Sequence, residues 1–244
     1  MTWVARVADT VRLTPLAESV LDAYGGADLW QASRAVHAVL SAGGLAFAMK
    51  RNGALDHLAL EVDLHEPHIR LSPFGKQGGT AVLESGTVRI EDPAGRIVSS
   101  RDNPRRFFPY GRRLFYWDEL DLAYFCGYAA WNYLAFPRLL LRPDIVWRQL
   151  TPDTLEAEFP ADCPTHSRLQ RFHFDPATHL LRQHDYTAQV MGSWARAANV
   201  VQNHATWHGM RYASTRRVTP RLPNGRPAWG PVLVWIEVSE WRIG

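Results

Sequence analysis

Residues 117–136 have the sequence WDELDLAYFCGYAAWNYLAF, and this aromatic, apolar stretch differs from the rest of the chain. It carries the signals of a helix at both ends. Asp118 can cap the first turn, Glu119 and Asp121 place negative charge where the helix dipole favours it, and Pro137 ends the helix. We therefore predict a helix over residues 117–136.

The part of this helix from residue 122 to residue 136 is polar only at Asn132 and at the hydroxyls of its tyrosines. It is shorter than the roughly 20 residues that a membrane span needs, and Gly127 and Asn132 weaken such a span further. A helix that is apolar on all sides is buried on nearly all sides. A sheet that curves around the helix would bury it in this way.

The segments around this helix are typical of short strands separated by turns. Turn residues recur at the short spacing of a meander, for example Ser85-Gly86 and residues 92–95, and no long helices alternate with the strands as a parallel sheet would require. The predicted strands are 35–40, 45–50, 58–64, 68–73, 80–84, 87–92, 96–100, 145–150, 154–159, 166–174, 180–190, 199–207, 211–217 and 232–242.

A second, N-terminal helix is predicted over residues 15–24, with Thr14 as its cap and Pro15 at its first position. The predicted fold is mainly β: a single curved antiparallel sheet, or half-open barrel, with this N-terminal helix and the buried aromatic-rich helix. Because β barrels of this length often form one unit, residues 1–244 are predicted to be a single β-rich ligand-binding domain.

The net charge of +3 is spread over short arginine pairs such as Arg105-Arg106, Arg112-Arg113 and Arg216-Arg217. A nucleic-acid binder more often has a continuous basic stripe, so no nucleic-acid partner is predicted. Residues 1–18 mix charges through their apolar positions, unlike a secretory signal, and the two cysteines are far apart in sequence. Both features favour the cytoplasm.

Three segments resemble a family of uncharacterised bacterial proteins: YFCGYAAWNYL at 124–134, His184-Asp185-Tyr186, and TRRV at 215–218 before a loop with Asn224-Gly225. Family proteins of this kind are similar in architecture to the lipoprotein-carrier group (LolA/LolB-like). In that group a half-open antiparallel barrel holds acyl chains beneath helical plugs. The resemblance implies a curved sheet with an apolar interior.

Polar side chains cluster on the predicted strands 166–174 and 180–190. A histidine with a carboxylate and a tyrosine can perform general acid/base chemistry, so the candidate catalytic residues are His184, Asp185, Tyr186 and His166. An alternative interpretation is that alternate strand positions simply face water. Either way, neighbouring residues alternate, so we expect His184 or Asp185 to face the concave side and Tyr186 to lie on the face opposite Asp185.

Two registers for these strands remain open. If Phe174 pairs with Leu180, Gln170 lies opposite His184. If the register slips by one residue, Asp185 lies opposite Gln170 instead and His184 moves to the other face.

The leading functional hypothesis is a lipophilic small molecule bound between the sheet and the aromatic helix. The candidate ligand-binding residues are Tyr124, Tyr128, Trp131, Tyr133, Gln170, Arg168 and His204. A cofactor-independent enzyme of the cyclase or isomerase type acting on a hydrophobic substrate is the alternative, and a partner-binding module is a third hypothesis. No cofactor and no metal are predicted, since no glycine-rich phosphate loop and no spaced set of zinc ligands occurs. No stable membrane span is predicted, and the oligomeric state is left open.

Overall fold

The structure, a computed structural model, describes residues 13–84 and 86–244. The expectation that residues 1–18 do not form a secretory signal concerns mostly residues 1–12, which lie outside the described residues. Ser85 of the predicted Ser85-Gly86 turn lies outside them too.

The strands of the described residues form one antiparallel sheet. Their sheet order is β6-β5-β4-β3-β2-β1-β13-β12-β11-β10-β9-β8-β7. Strands that follow one another in the chain therefore pair in the sheet, except β6 and β7, and the pairing of β1 with β13 joins the first half of the chain to the second. The strands are β1 (Ala35–Gly43), β2 (Leu55–Asp63), β3 (Ile69–Phe74), β4 (Gly79–Glu84), β5 (Thr87–Glu91), β6 (Ile97–Asp102), β7 (Val146–Thr151), β8 (Thr154–Glu158), β9 (Leu169–Phe174), β10 (Leu181–Thr187), β11 (Arg196–Trp207), β12 (Met210–Pro220) and β13 (Val234–Ile243).

This sheet is not closed, because its outer strands β6 and β7 do not pair with each other. The predicted mainly β fold, a single curved antiparallel sheet with helices, is confirmed. Two predicted strands are shorter than expected: residues 166–168 precede β9, and residues 188–190 follow β10. Beyond β10 the chain turns back at once, since the Ala188 N–H donates to the Ala195 carbonyl at 2.8 Å.

The helices are α1 (Pro15–Ala23), α2 (Ala27–Ala32), α3 (Leu45–Met49) and α4 (Glu119–Leu134), with short 3-10 turns at Pro104–Phe107, Gly111–Leu114 and Arg138–Leu141. The N-terminal helix has the predicted cap, since the Thr14 hydroxyl accepts a hydrogen bond from the Ala17 N–H at 3.2 Å.

The prediction of a strand at residues 45–50 is wrong, because this segment forms α3. Gly44, with a φ of 128°, turns the chain out of β1, and the Ala48 N–H then donates to the Gly44 carbonyl at 3.2 Å. Ala46 and Phe47 are buried while Leu45 is exposed, so one side of the helix faces the interior. A short apolar run has no periodicity that distinguishes such a helix from a strand.

Helix α4 confirms the prediction of a buried helix. Apart from Glu119 and Ala130, all of its residues are buried. It packs against β3, β4 and β5, and Gly127 permits this close approach, because a Cβ at that position would lie 3.1 Å from the Leu83 Cβ. In the described part of the chain, no helix combines the length and the hydrophobicity that crossing a membrane requires.

The start of α4 is fixed by a cluster of charges. The Asp118 carboxylate accepts from the Asp121 N–H at 2.8 Å, as the sequence predicts for the cap. The buried Asp121 carboxylate accepts from Arg101 at 2.5 Å and from Arg112 and Arg113 at 2.7 Å each. Asp118 also pairs with Arg101 and Arg112. These ion pairs attach α4 to β6 and to the turns that follow β6.

The cap also makes the stability of the fold depend on pH. Burial alone would raise the pKa of Asp118, but hydrogen bonds from Arg101 and the Asp121 backbone, with the charge of Arg112, lower it from 3.8 to about 2. A carboxyl whose pKa is lower in the folded state stabilises the fold above its unfolded pKa and loses this effect as pH falls. We expect the contribution to be complete above about pH 4 and to disappear towards about pH 2.

Urea unfolding at a series of acidic pH values tests this, with Asp118→Asn as the comparison. Asparagine keeps the capping hydrogen bond but cannot titrate. The variant should therefore show a shallower fall in unfolding free energy over this range. Identical pH profiles for the two proteins would contradict the assignment.

Candidate functional site

A cavity of about 580 Å³ lies between α4 and the concave face of the sheet. Its wall is largely apolar and includes Leu40, Leu58, Leu60, Phe125, Leu134 and Ile236. Met49 and Trp194 also line it and are 49% and 72% exposed, so the cavity reaches solvent near them.

The space exists because α4 presents small side chains to it. Cys126, Ala129 and Ala130 line the cavity, and Tyr133 follows on the same side of the helix. On the opposite side, the central strands form the wall. Because successive side chains of a strand point to opposite faces, every second residue faces the cavity, for example Arg216 and Val218 of β12.

The polar part of the wall centres on Tyr133, His166 and Tyr186, all of which line the cavity. The Tyr133 hydroxyl lies 2.7 Å from His166 Nε2 and 2.6 Å from the Tyr186 hydroxyl. The rings of His166 and Tyr186 are stacked with their centroids 3.8 Å apart. Tyr128 does not line the cavity but belongs to the same cluster, because its hydroxyl lies 3.3 Å from His166 Nδ1.

This cluster is uncharged at neutral pH. Burial raises the pKa of Tyr133 to about 12 and that of Tyr186 well above its ordinary value. Burial, together with the positive charge of Arg105, lowers the pKa of His166 well below 6.5. The cluster can therefore orient a polar group of a ligand by hydrogen bonding, but none of its members is close to its pKa at pH 7, as an efficient acid/base catalyst would be.

Arg216 brings a positive charge to the same wall. Its side chain lines the cavity although the residue is only 5% exposed, and its guanidinium carbon lies 5.1 Å from the centroid of the Tyr133 ring. Among the described residues no carboxylate pairs with it.

His184 and Asp185 lie on opposite faces of β10, as strand alternation requires. His184 is buried inside, where its Nε2 lies 2.6 Å from Gln170 Oε1 and its ring stacks on Phe172. The Asp185 carboxylate accepts from Arg221 at 3.1 Å, and His173 lies at the same distance. The two candidate catalytic residues are therefore not brought together. Tyr186 lies on the inner side with His184.

The ladder between β9 and β10 begins in the register of the one-residue slip, but from Gln183 onward it differs from both alternatives considered from the sequence. Phe174 pairs with Leu181, and His184 pairs with Phe172. The ladder shifts between Leu181 and Gln183, because an extra residue at this irregularity offsets the strands. His166 does not belong to the strand at all, since β9 begins at Leu169.

Most aromatic residues of α4 do not line the cavity. Tyr124 packs against Phe108, with ring centroids 5.9 Å apart, and the Trp131 indole N–H donates to the Asp63 carbonyl at 3.0 Å. Of the predicted aromatic set Tyr124, Tyr128, Trp131 and Tyr133, only Tyr133 is part of the wall. The large rings instead fill the tight spaces between α4 and the surrounding chain.

The other predicted ligand-binding residues also lie away from the wall. Arg168 is exposed and pairs with Glu158 at 3.0 Å. Gln170 is buried and bonded to His184, and His204 Nε2 lies 3.2 Å from the Tyr24 hydroxyl. Within residues 13–84 and 86–244, no three His, Cys, Asp or Glu side chains are grouped so that they could hold a metal ion.

Sequence reasoning missed Arg216, Trp194 and helix α3 as parts of the cavity. The sequence did carry a signal for Arg216. It lies on a predicted strand, two residues before Val218, so the two side chains are expected on the same face of the sheet. Trp194 lies two residues after Gly192. A glycine there indicates a turn, but the sequence does not show that this turn lies at a cavity.

No family model matches the chain, and no curated protein matches it. Solved structures resemble it at low identity. A domain from Vibrio parahaemolyticus, described as that of an outer membrane lipoprotein-sorting protein, has a TM-score of 0.49 and 10% identity over 93% of this chain and 90% of that one. A LolA superfamily protein from Nitrosomonas europaea has a TM-score of 0.47 and 11% identity over 93% and 92% of the two chains.

A DUF1329 family protein from Desulfovibrio piger has a TM-score of 0.38 and 13% identity over 96% of this chain and 93% of that one. At this identity the likeness concerns the arrangement of strands and helices, and the function is inferred below from the cavity itself.

Proposed function

We propose that residues 1–244 act as one ligand-binding domain that holds a lipophilic small molecule between the sheet and α4. The cavity of about 580 Å³ with its largely apolar wall carries this proposal. Its size falls within the roughly 300 to 1,000 Å³ of sites that enclose small molecules, and such sites combine an apolar wall with a few placed polar groups. Tyr133, His166 and Tyr186 are those polar groups here.

Burial of a hydrocarbon tail supplies enough free energy for binding. Each methylene group transferred from water contributes about 0.8 kcal/mol, so a tail of about ten carbons gains roughly 8 kcal/mol. Association costs several kcal/mol in lost freedom of motion, so the remainder alone supports binding in roughly the millimolar range. Micromolar binding needs a longer tail or a contribution from the polar groups of the wall.

Filling part of the cavity should weaken binding without unfolding the protein. Ala129 lies on the wall of the cavity, so the indole of Ala129→Trp would occupy part of the empty space. We expect this variant to bind the neutral fluorophore N-phenyl-1-naphthylamine at least about tenfold more weakly than the unmodified protein, which should bind it saturably with one site per chain. Fluorescence titration measures both affinities.

Ala94→Trp is the matched control, because Ala94 is exposed in the turn between β5 and β6. It should bind the fluorophore as the unmodified protein does. Unchanged affinity in Ala129→Trp, with its melting temperature also unchanged, would show that the fluorophore binds elsewhere and would refute the proposal.

The cavity gives less support to the acid/base enzyme. The carboxylate of Asp185 is held by Arg221 on the other face of β10, so it cannot orient His184 or His166. For the location of the protein we propose the cytoplasm, and the two free cysteines, Cys126 and Cys163, support this, since reducing compartments keep thiols unpaired.

A further inference from the structure

Arg216 is the buried cation of the cavity wall. It lies on β12, pairs across the sheet with Ile236 of β13 and with Val201 of β11, and shares the concave face with Val218. The residue is only 5% exposed. It stays charged because a guanidinium does not lose its proton in proteins.

This charge lacks a counter-ion within the described part of the chain. Nη1 of Arg216 is buried without any hydrogen-bond partner. Its neighbours on the sheet are paired: Arg217 donates to Glu237 at 2.7 Å, and Arg221 donates to Asp185 at 3.1 Å. The Tyr133 ring beside Arg216 offsets part of the lost hydration through a cation–π contact, but an isolated buried charge remains unfavourable.

A second unsatisfied polar group faces the same side. Asn199 of β11 is fully buried, and neither atom of its side-chain amide has a hydrogen-bond partner. It pairs across strands with His184 and with Val218, which both face the interior, and it lies two residues from Val201, the partner of Arg216. Asn199 shares the face but does not line the cavity. Buried polar groups are nearly always hydrogen-bonded in folded proteins, so the unpartnered Nη1 of Arg216, which does line the cavity, indicates a missing polar partner there.

We infer that the ligand of this cavity carries a carboxylate on its apolar tail and that the carboxylate pairs with Arg216. This inference rests on the proposed function, since it names the head group of the same lipophilic ligand. Arginine binds a carboxylate through two parallel N–H donors. Among the described residues that line the cavity, Arg216 is the one buried and unpaired cation, which matches the single charge of a carboxylate.

Three probes with the same tail test the head group: dodecanoate, dodecan-1-ol and dodecyl phosphate. We expect the unmodified protein to bind dodecanoate about 10- to 100-fold more tightly than dodecan-1-ol in isothermal titration, because hydrogen bonds to charged groups are the strong ones. Dodecyl phosphate, which carries more than one negative charge, should bind more weakly than dodecanoate.

Arg216→Met should remove the preference, so that acid and alcohol bind with the affinity that the alcohol has for the unmodified protein. Arg217→Met is the matched control, since Arg217 lies on the neighbouring position and pairs with Glu237. It should keep the preference. Arg216→Gln serves as a second variant if the methionine variant folds poorly. The comparison of the three probes on the unmodified protein tests the head group without any variant.

The outcomes separate the two proposals. Equal affinity for acid and alcohol would overturn the carboxylate assignment and leave the lipophilic ligand in place. A preference for the phosphate over the carboxylate would also overturn it. If the unmodified protein binds none of the three probes, the proposed function itself fails.

Discussion

Replacing Trp131 by alanine should lower the free energy of unfolding by about 3 to 5 kcal/mol. The Trp131 side chain is fully buried, its indole N–H satisfies the Asp63 carbonyl at 3.0 Å, and the Arg142 guanidinium carbon lies 5.5 Å from the ring centroid. Alanine would leave a void in the packing of α4 and would leave the carbonyl without its donor.

Urea unfolding of the variant measures this effect. Trp229→Ala is the matched control, because Trp229 is fully exposed and undergoes the same chemical change. We expect the control to unfold within about 0.5 kcal/mol of the unmodified protein. Similar unfolding curves for Trp131→Ala and Trp229→Ala would contradict the position of Trp131 in the core.

The second large effect is expected for Asp121→Ala. The Asp121 carboxylate has no exposed surface and accepts from Arg101, Arg112 and Arg113. Removing one partner of a buried ion cluster leaves charges without compensation, which costs about 3 to 5 kcal/mol. The variant also loses the side-chain oxygen that accepts from the Asp118 N–H in the capping box of α4.

Glu237→Ala is the comparison for this variant. Glu237 is 56% exposed at its side chain and pairs with Arg217 alone, and exposed pairs contribute about 0 to 1 kcal/mol. Thermal and urea unfolding should therefore separate the two variants clearly. An equal loss of stability in both would show that the cluster at the start of α4 is no stronger than a surface ion pair.

The features that the sequence predicted correctly are those with strong local signals. Asp118 and Pro137 delimit α4, and the recurring turns predict a meander of antiparallel strands. The features that the sequence left open or predicted wrongly lack such local signals. The register of β9 and β10 depends on an irregularity after Leu181, and the short apolar segment of α3 looks the same for a strand as for a helix.

The cavity wall could not be predicted for a related reason. Because α4 is apolar on every side, its sequence does not indicate which side meets empty space, and the small side chains of Ala129 and Ala130 proved to face the cavity. Arg216 is adjacent to Arg217 in the sequence, and only the fold shows that one is buried in the wall while the other reaches Glu237.

The position of the ligand is the most direct test of the central claim, that a lipophile binds between the sheet and α4. A dodecan-1-ol analogue with a photoreactive diazirine in its tail can be crosslinked to the protein and mapped by peptide mass spectrometry. We predict adducts on wall residues, above all in residues 125–134 of α4 and in β1, β2 and β13. Adducts confined to the exposed aromatic residues Tyr110, Phe115 or Trp229 would show that the lipophile binds the surface and would contradict the claim.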